Sequence, residues 1–154
     1  MINQYKKNIL LVCAHPDDEI LGCGGTLSIL KKNKCKIKVL ILSEGITARY
    51  DKKLFKSKKV LKEIKERNIN CMKANAVLGI KDIVFLNNLC CRLDQVPIID
   101  ITKKIEKVIT SFKPSIIFTH NSNDVNIDHK ICHNACIAAC RPVNKTFIEK
   151  IYTF

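Results

Sequence analysis

Residues 8–19 read Asn-Ile-Leu-Leu-Val-Cys-Ala-His-Pro-Asp-Asp-Glu, an apolar run that ends at a cluster of polar and charged side chains. An apolar run of this length, bounded by polar residues, is typical of a parallel strand buried on both faces. Residues 36–43 form a second such run. Between the two, acidic residues at the start and Lys31-Lys32-Asn33 at the end give the charge order that a helix dipole favours. This stretch therefore predicts the strand, crossover helix and strand that begin an α/β sheet.

The same alternation of strand and helix continues along the chain. Gly79 and Pro114 fall where a helix should stop before the next strand. Because strand and helix alternate throughout, we predict a single domain over residues 1–154, a Rossmann-like three-layer α/β sandwich with a mainly parallel sheet. The further strands are predicted at residues 83–86, 115–119 and 147–154, and the further helices at about 56–78, 98–112 and 128–140.

Two local features of the predicted elements carry expectations of their own. Gly22, Gly24 and Gly25 lie inside the first helix, where small residues are expected to let the helix approach the sheet closely. Residues 44–55 form a long stretch without a strand or helix pattern. Because such stretches in compact domains are often functional, we expect a loop that serves the site.

Charge and hydropathy restrict the classes of partner. The sequence has 27 basic and 14 acidic residues, a formal net charge of +13, which raises the question of nucleic acid. The lysines are scattered over predicted helix faces without interleaved aromatic residues, so we expect no nucleic-acid partner, although attraction of an anionic substrate stays open. No apolar run approaches the roughly 20 residues of a membrane span. The run at residues 8–14 is better explained as a strand than as a signal peptide, so we expect a cytoplasmic protein.

The nine cysteines are odd in number, and most of them lie inside apolar segments. We therefore expect reduced, mostly buried thiols rather than a disulfide scaffold. Cys132, Cys136 and Cys140 recur every four residues and share one face of the last predicted helix. Packing of that face is the favoured interpretation, and a soft-metal or redox site is the alternative.

Two polar clusters follow predicted strands, at residues 15–19 after the first strand and at residues 120–129 after the fourth. Ligands of open α/β sheets bind at the carboxyl ends of the strands, where these clusters can meet. An imidazole and a carboxylate three residues apart, joined by a second imidazole, can hold one ion and leave a position open for water. His15, Asp18 and His129 meet that need. The alternative is that each residue is structural, with the adjacent aspartates capping the helix.

The residues of both clusters resemble a known family. Residues 14–19, Ala-His-Pro-Asp-Asp-Glu, are similar to the signature of the LmbE-like and PIG-L deacetylases. Residues 124–129, Asp-Val-Asn-Ile-Asp-His, resemble the second metal motif of the same family. The resemblance covers essentially the whole chain. It extends through residues 43–45, Arg67 and residues 78–80, 85–86 and 139–142.

The resemblance implies an activity and a metal site. The activity is hydrolysis of an N-acetyl group on a small molecule or glycoconjugate that contains N-acetylglucosamine. Zinc, or another divalent ion such as Fe²⁺, would be bound by His15, Asp18 and His129. Asp17 would be the general base that deprotonates the attacking water and then protonates the leaving amine.

Four further residues receive roles from the same resemblance. Arg67 matches a family arginine that contacts substrate, with an exposed helix arginine as the alternative. Arg92 is expected to bind substrate as well. Glu19 and Asp128 stand next to expected ligands in the two motifs, so we expect them to support the ligands from behind.

The sequence departs from the family at two places. Asn126 stands where many members have a histidine that stabilises the tetrahedral intermediate. The amide of Asn126 and the nearby His120 are expected to take over that role. Cys90-Cys91-Arg92 stands where the family often has Asp-Asn-Arg, whose aspartate binds the sugar.

Length is a third departure, because members generally continue well beyond the strand that matches residues 147–154. The resemblance implies that segments completing the substrate pocket are missing here. The alternative function is therefore a truncated, non-catalytic metal-binding remnant of the family. Its apolar last strand would favour association into a homo-oligomer. A basic nucleic-acid-binding domain, which rests on charge alone, is a third hypothesis.

Overall fold

The computed structural model describes residues 7–143 and 147–154, and its centre is a five-stranded sheet. All neighbouring strands are parallel, and their order is β3-β2-β1-β4-β5. The predicted α/β class with a parallel sheet is therefore confirmed. The strands are β1 (Asn8–Cys13), β2 (Lys36–Ser43), β3 (Asp82–Asn88), β4 (Ile116–Thr119) and β5 (Lys150–Thr153).

In the described part of the chain, four α-helices connect these strands. They are α1 (Asp18–Lys32), α2 (Lys58–Val77), α3 (Ile98–Phe112) and α4 (Ile127–Ala139). Short 3-10 turns lie at Thr47–Arg49, Lys52–Leu54 and Leu93–Gln95. The first two of these turns occupy the stretch that carries no strand or helix pattern in the sequence.

Helices cover both faces of the sheet. Successive residues of a strand point to opposite sides, so each central strand contacts both helix layers. Ile9 and Leu11 of β1 pack with buried residues of α1 and α2. Leu10 and Val12 of the same strand pack with buried residues of α3 and α4. Burial on both faces explains why the central strands are continuously apolar, and it produces the predicted three-layer sandwich.

The last strand is shorter than the sequence predicts. It begins at Lys150 rather than at residue 147. Phe147 and Ile148 pack against the apolar cluster beneath α3 and α4 instead of extending the sheet. Their apolar character therefore reflects core packing, and the predicted start of the strand is wrong.

The glycines of α1 do not all have the role predicted for them. A Cβ on Gly22 would overlap the ring of Phe154, so a side chain at this position would require that ring to move. Gly24 has only ordinary contact with Ile20, and Gly25 has open space around it. The prediction of a close approach to the sheet is therefore wrong for Gly24 and Gly25. At Gly22 the close neighbour is an aromatic ring that follows β5, not the sheet backbone.

All nine cysteines lie in the described ranges, where no disulfide joins any two of them. Seven are buried, Cys140 is half-buried and Cys91 is exposed, which confirms that most are buried. Cys132 and Cys136 pack in the core beneath α4, as expected for that helical face. Among the described helices, none has the length and apolarity needed to span a bilayer.

Candidate metal centre

Two loops meet at the carboxyl ends of β1 and β4, which are paired neighbours in the sheet. From β1 the chain first builds β2 and β3 on one side, and it later places β4 and β5 on the other side. Such a reversal of strand order is the point at which open α/β sheets bind ligands. The backbone N–H of Ala14 donates to Nε2 of His120 at 2.9 Å and ties the two loops together. The predicted meeting of the two polar clusters is confirmed.

His15, Asp18 and His129 converge where the loops meet, and we call them the donor triad. Nδ1 of His15 lies 3.3 Å from Nε2 of His129. Each of these nitrogens is 3.5 Å from Oδ2 of Asp18. A tetrahedral ion with bonds of about 2.0–2.1 Å sets its donor atoms about 3.3 Å apart. The three atoms therefore stand close to the spacing that a small divalent cation requires.

A carboxylate contacts the far nitrogen of each imidazole in the donor triad. Nε2 of His15 lies 3.0 Å from Oδ2 of Asp128, and Nδ1 of His129 lies 2.8 Å from Oδ2 of Asp124. Such contacts fix the tautomer that turns a lone pair toward an ion. Asp128 lies where the sequence predicts a supporting residue. Sequence reasoning missed Asp124, whose place in the second motif, five residues before His129, does not by itself distinguish it from the other polar residues of the loop.

The negative charge around the imidazoles is large for a buried place. Burial lowers the pKa of His15, but contacts with Asp128 and Asp18 outweigh burial and raise this pKa to about 12. Burial raises the pKa of Asp18, yet contacts with His120 and His15 outweigh it and hold the pKa below its ordinary value. Nε2 of His120 accepts the N–H of Ala14, so it has no proton to donate to Oδ2 of Asp18, which lies 3.2 Å from it. We therefore assign the lowering chiefly to His15, and the whole arrangement favours a cation.

Asp17 lies at the N-terminal end of α1, but its side chain does not cap that helix. Its carboxylate accepts a hydrogen bond of 2.8 Å from Nη2 of Arg67. Its φ of 149° is one that residues with side chains rarely adopt. The side chain of Glu19 accepts the backbone N–H of Asp17 at 3.0 Å and so holds this conformation. The capping interpretation is therefore wrong for Asp17, which presents a half-exposed carboxylate beside the donor triad.

Arg67 reaches Asp17 from α2 by crossing the loop that follows β2. Gly45 in that loop has a φ of 74°, which favours glycine. A Cβ on Gly45 would stand 2.7 Å from Nε of Arg67 and 3.1 Å from Cδ of Pro16. The missing side chain lets the guanidinium pass over the loop and reach the site.

A cleft of about 340 Å³ opens at the donor triad. Asn126 lines it and also caps α4, because its Oδ1 accepts the N–H of Asp128 at 2.9 Å. The amide NH₂ is therefore the part of Asn126 that can donate into the cleft. A larger cavity of about 430 Å³ lies between α1 and α2 and shares Asp17 and Arg67 with the cleft. No residue of the donor triad lines the larger cavity, whereas all three line the smaller cleft. The smaller cleft is therefore the place for chemistry at a bound ion.

Three predicted site residues occupy positions that favour structural roles. His120 is 2% exposed, and its ring stacks on that of His129 with centroids 3.8 Å apart. Arg92 lies over the ring of Phe55 at 5.3 Å, outside the residues that line the cleft. Glu19 is fully buried and holds the loop backbone rather than a side chain of the donor triad. The predicted roles of His120 in catalysis and of Arg92 in substrate binding gain no support from these positions.

Comparison with known proteins identifies the family. The model of the family described as "PIG-L: GlcNAc-PI de-N-acetylase" matches residues 10–140, which include both loops of the donor triad. The chain belongs to the PIG-L family. The resemblance inferred from the two sequence motifs is thereby confirmed.

Two curated relatives show how far the PIG-L likeness extends. The uncharacterized deacetylase YaiS of Escherichia coli (strain K12) is 26% identical over 143 residues, which are 90% of this chain and 70% of YaiS. The probable N-acetyl-alpha-D-glucosaminyl L-malate deacetylase 2 of Bacillus cereus is 26% identical over 136 residues. That match covers 87% of this chain and 61% of the relative.

Solved structures share the PIG-L fold. The N,N'-diacetylchitobiose deacetylase from Pyrococcus horikoshii has a TM-score of 0.75 at 22% identity, and the match covers 91% of this chain and 53% of the chain of that deacetylase. The conserved protein TT1542 from Thermus thermophilus has a TM-score of 0.73 at 23% identity, covering 94% and 64%. GalB, the 4-carboxy-2-hydroxymuconate hydratase from Pseudomonas putida KT2440, has a TM-score of 0.70 at 22% identity, covering 96% and 62%. This chain therefore spans about half to two thirds of each of these proteins, and the likeness concerns the fold.

Proposed function

We propose that this chain is a zinc-dependent deacetylase that hydrolyses the N-acetyl group of a substrate containing N-acetylglucosamine, and that residues 1–154 belong to one domain of this kind. The observation that supports the proposal is the donor triad of His15, Asp18 and His129. Its atoms are spaced 3.3–3.5 Å apart in a cleft that also contains the carboxylate of Asp17. The names of the PIG-L family and of its deacetylase relatives supply the reaction class.

The donor triad fits zinc and would hold it through Nδ1 of His15, Oδ2 of Asp18 and Nε2 of His129. Two imidazoles and one carboxylate are ligands that zinc accepts in open catalytic sites, and the same set also suits Fe²⁺. When bound, the ion supplies a water of lowered pKa and polarises the amide carbonyl. Asp128 and Asp124 keep the imidazoles in the ligating tautomers.

Asp17 is the proposed general base and acid. Asp17 directly precedes Asp18 in the sequence, and its half-exposed carboxylate lines the cleft. It can therefore take a proton from a water beside the triad. The same group would then deliver that proton to the leaving amine. The hydrogen bond from Arg67 fixes the direction of the carboxylate and places a guanidinium at the wall of the cleft, where it can contact substrate.

Asn126 is the proposed donor to the carbonyl oxygen of the acetyl group. Because its Oδ1 is engaged in capping α4, the NH₂ group is the part of this cleft-lining side chain that remains to donate a hydrogen bond. A donor at that place stabilises negative charge as it develops on the oxygen. A net charge of +13 further favours an anionic member of the N-acetylglucosamine class as the substrate.

The alternative proposal is a non-catalytic metal-binding remnant of the family. It is supported by Asn126 and the Cys90-Cys91 pair, which stand where the family resemblance leads us to expect a histidine and an Asp-Asn pair. Both proposals share the metal centre. They differ only in whether the centre turns over substrate.

Acetate release distinguishes the two proposals. The chain is loaded with Zn²⁺ and incubated with N-acetylglucosamine linked to inositol phospholipid, to malate or to a second N-acetylglucosamine. We expect acetate and primary amine to appear in equal amounts with at least one of these conjugates. A chelator should stop the reaction, and added Zn²⁺ should restore it. Tight zinc binding without amine release from any of the three would reject the deacetylase and support the remnant.

Asp124 offers a prediction that is independent of turnover. Asp124→Asn removes the carboxylate charge from Nδ1 of His129 while keeping the size of the side chain. We expect zinc affinity to fall about 10–100-fold, the usual effect of losing the partner that orients a ligating imidazole. Competition with a chromogenic chelator measures this change. Asp94→Asn is the matched control on an exposed turn, and equal affinities for the two variants would contradict the role of Asp124.

A further inference from the structure

Two adjacent cysteines, Cys90 and Cys91, line the cleft beside the donor triad. Cys90 is buried and Cys91 is exposed, and both belong to the wall of the cleft. Their Sγ atoms lie 3.8 Å apart. Neither thiol has a role in the deacetylase chemistry proposed above, so the pair requires its own explanation.

The backbone brings the two thiols together. Neighbouring side chains on an extended chain point to opposite sides, but Cys91 has a φ of 54°, in the left-handed region that few residues with side chains enter. Buried carboxylates hold the backbone in this shape. The N–H of Cys90 donates to Oε1 of Glu44 at 2.8 Å, and the N–H of Cys91 donates to Oδ2 of Asp128 at 2.7 Å. The close approach of the thiols is therefore built into the turn.

The thiols stand in a cluster of groups that bind metals. One ligand atom from each of Cys90, Cys91, Asp128 and His15 lies within 4.8 Å of all the others. Two thiolates on one tetrahedral zinc, with bonds of about 2.3 Å, are about 3.8 Å apart. The measured Sγ separation equals that value. Asp128 adds a fully buried carboxylate to the same cluster.

We propose that Cys90, Cys91 and Asp128 form a second cation site in the cleft, which binds a thiophilic divalent ion such as Zn²⁺ or Cd²⁺. Thiolates select soft ions of this kind over Mg²⁺ or Ca²⁺. The second site uses different ligands from the donor triad but adjoins it, because Asp128 also contacts Nε2 of His15. Binding in the second site draws on the carboxylate that orients His15, so the two sites should oppose one another.

A nucleophilic role fits this cysteine pair less well. Burial, followed by the neighbouring Cys90 and Asp128, raises the pKa of the Cys91 thiol above its ordinary value. Reactive cysteines have a lowered pKa and an electropositive setting. Here the exposed thiol stands beside Cys90 and the carboxylate of Asp128, a set of groups that favours a divalent cation as the partner.

Cadmium titration tests the second site, because sulfur bound to Cd²⁺ gives a charge-transfer absorption in the ultraviolet. Wild-type chain is compared with the Cys90→Ser/Cys91→Ser double variant, with Cys91→Ser alone and with Cys140→Ser as the control cysteine that follows α4. We expect the wild type and Cys140→Ser to take up a second equivalent of Cd²⁺ with the thiolate band. The double variant should lose both the band and the second equivalent. Cys91→Ser, which changes an exposed side chain, should lose about half of the band.

A His129→Ala background separates this proposal from the deacetylase proposal. His129 belongs to the donor triad and lies outside the thiol cluster, so the thiolate band should persist there while the first equivalent is weakened. A band that persists undiminished in the Cys90→Ser/Cys91→Ser variant, or a wild type that binds only one equivalent without thiolate absorption, would overturn the second site. Failure of the donor triad alone would leave the thiolate band in place.

Discussion

His129→Ala is expected to lower zinc affinity more than about 100-fold, beyond the roughly 10–100-fold cost of losing a partner that merely orients a ligand. Nε2 of His129 is one of three atoms spaced for a single ion, and alanine leaves only His15 and Asp18. Two protein donors close too little of the coordination shell to hold zinc at low concentration. Deacetylation should fall to background with the loss of metal. Equilibrium dialysis with metal analysis measures the affinity, and acetate release measures the activity.

His133→Ala is the matched control for this prediction. His133 lies one turn further along α4, and its Nδ1 contacts the carbonyl oxygen of His120 at 2.8 Å rather than the donor triad. We expect this variant to keep its zinc. If His129→Ala bound zinc as tightly as His133→Ala, the donor triad would not be the metal site, and the deacetylase proposal would lose its basis.

The elements that the sequence predicts best are those whose pattern has a single physical cause. β2 at residues 36–43 and α3 at residues 98–112 agree with prediction to the residue. The first has an apolar run at residues 39–42 that is buried on both faces, and the second has a strongly one-sided apolar face with buried Ile101, Ile105 and Ile109. β5 is predicted too long, because Phe147 and Ile148 are apolar for a different reason, namely packing beneath the helices.

The donor triad could be anticipated because both of its loops follow strands that the topology makes neighbours. Of the two carboxylates that contact the imidazoles, Asp128 was anticipated and Asp124 was not. Asp124 is one of several polar residues in the loop after β4, and spacing does not say which of them faces the far nitrogen of His129. The pairing of Arg67 with Asp17 spans 50 positions and depends on the bare backbone of Gly45. Such contacts follow from packing of whole elements rather than from a local pattern.

Roles transferred by resemblance alone fare less evenly than roles derived from position in the fold. Asp128 contacts Nε2 of His15, the imidazole that it is predicted to support, but Glu19 holds the backbone of the loop instead. Arg92 lies over Phe55, because the turn after β3 carries it away from the wall of the cleft. The same turn directs the neighbouring thiols into the cleft. A motif therefore locates the turn, whereas φ at a single residue decides which side chains reach the site.

Asp17→Asn is expected to lower kcat about 10²–10⁴-fold, the range by which general acid–base groups accelerate proton transfer. Asparagine has the same shape and can still accept the hydrogen bond from Arg67, so the geometry of the cleft should be kept. It cannot take up the proton of a water or return one to an amine. Zinc content should stay at the level of the wild type, because Asp17 is not a member of the donor triad. Metal analysis and the rate of acetate release on the same sample measure both quantities.

Two further variants separate a role in proton transfer from a structural role of Asp17. Asp51→Asn changes an exposed aspartate outside the cleft and should leave kcat unchanged. Arg67→Gln removes the guanidinium that donates to Asp17 but leaves the carboxylate in place, so it should raise KM more than it lowers kcat. If Asp17 served only to hold Arg67, Asp17→Asn would keep its activity, because asparagine still accepts that hydrogen bond, and only Arg67→Gln would lose activity. An Asp17→Asn protein that keeps zinc and full turnover would exclude Asp17 as the base. Zinc-dependent turnover in the wild type that Asp17→Asn abolishes would exclude a non-catalytic remnant.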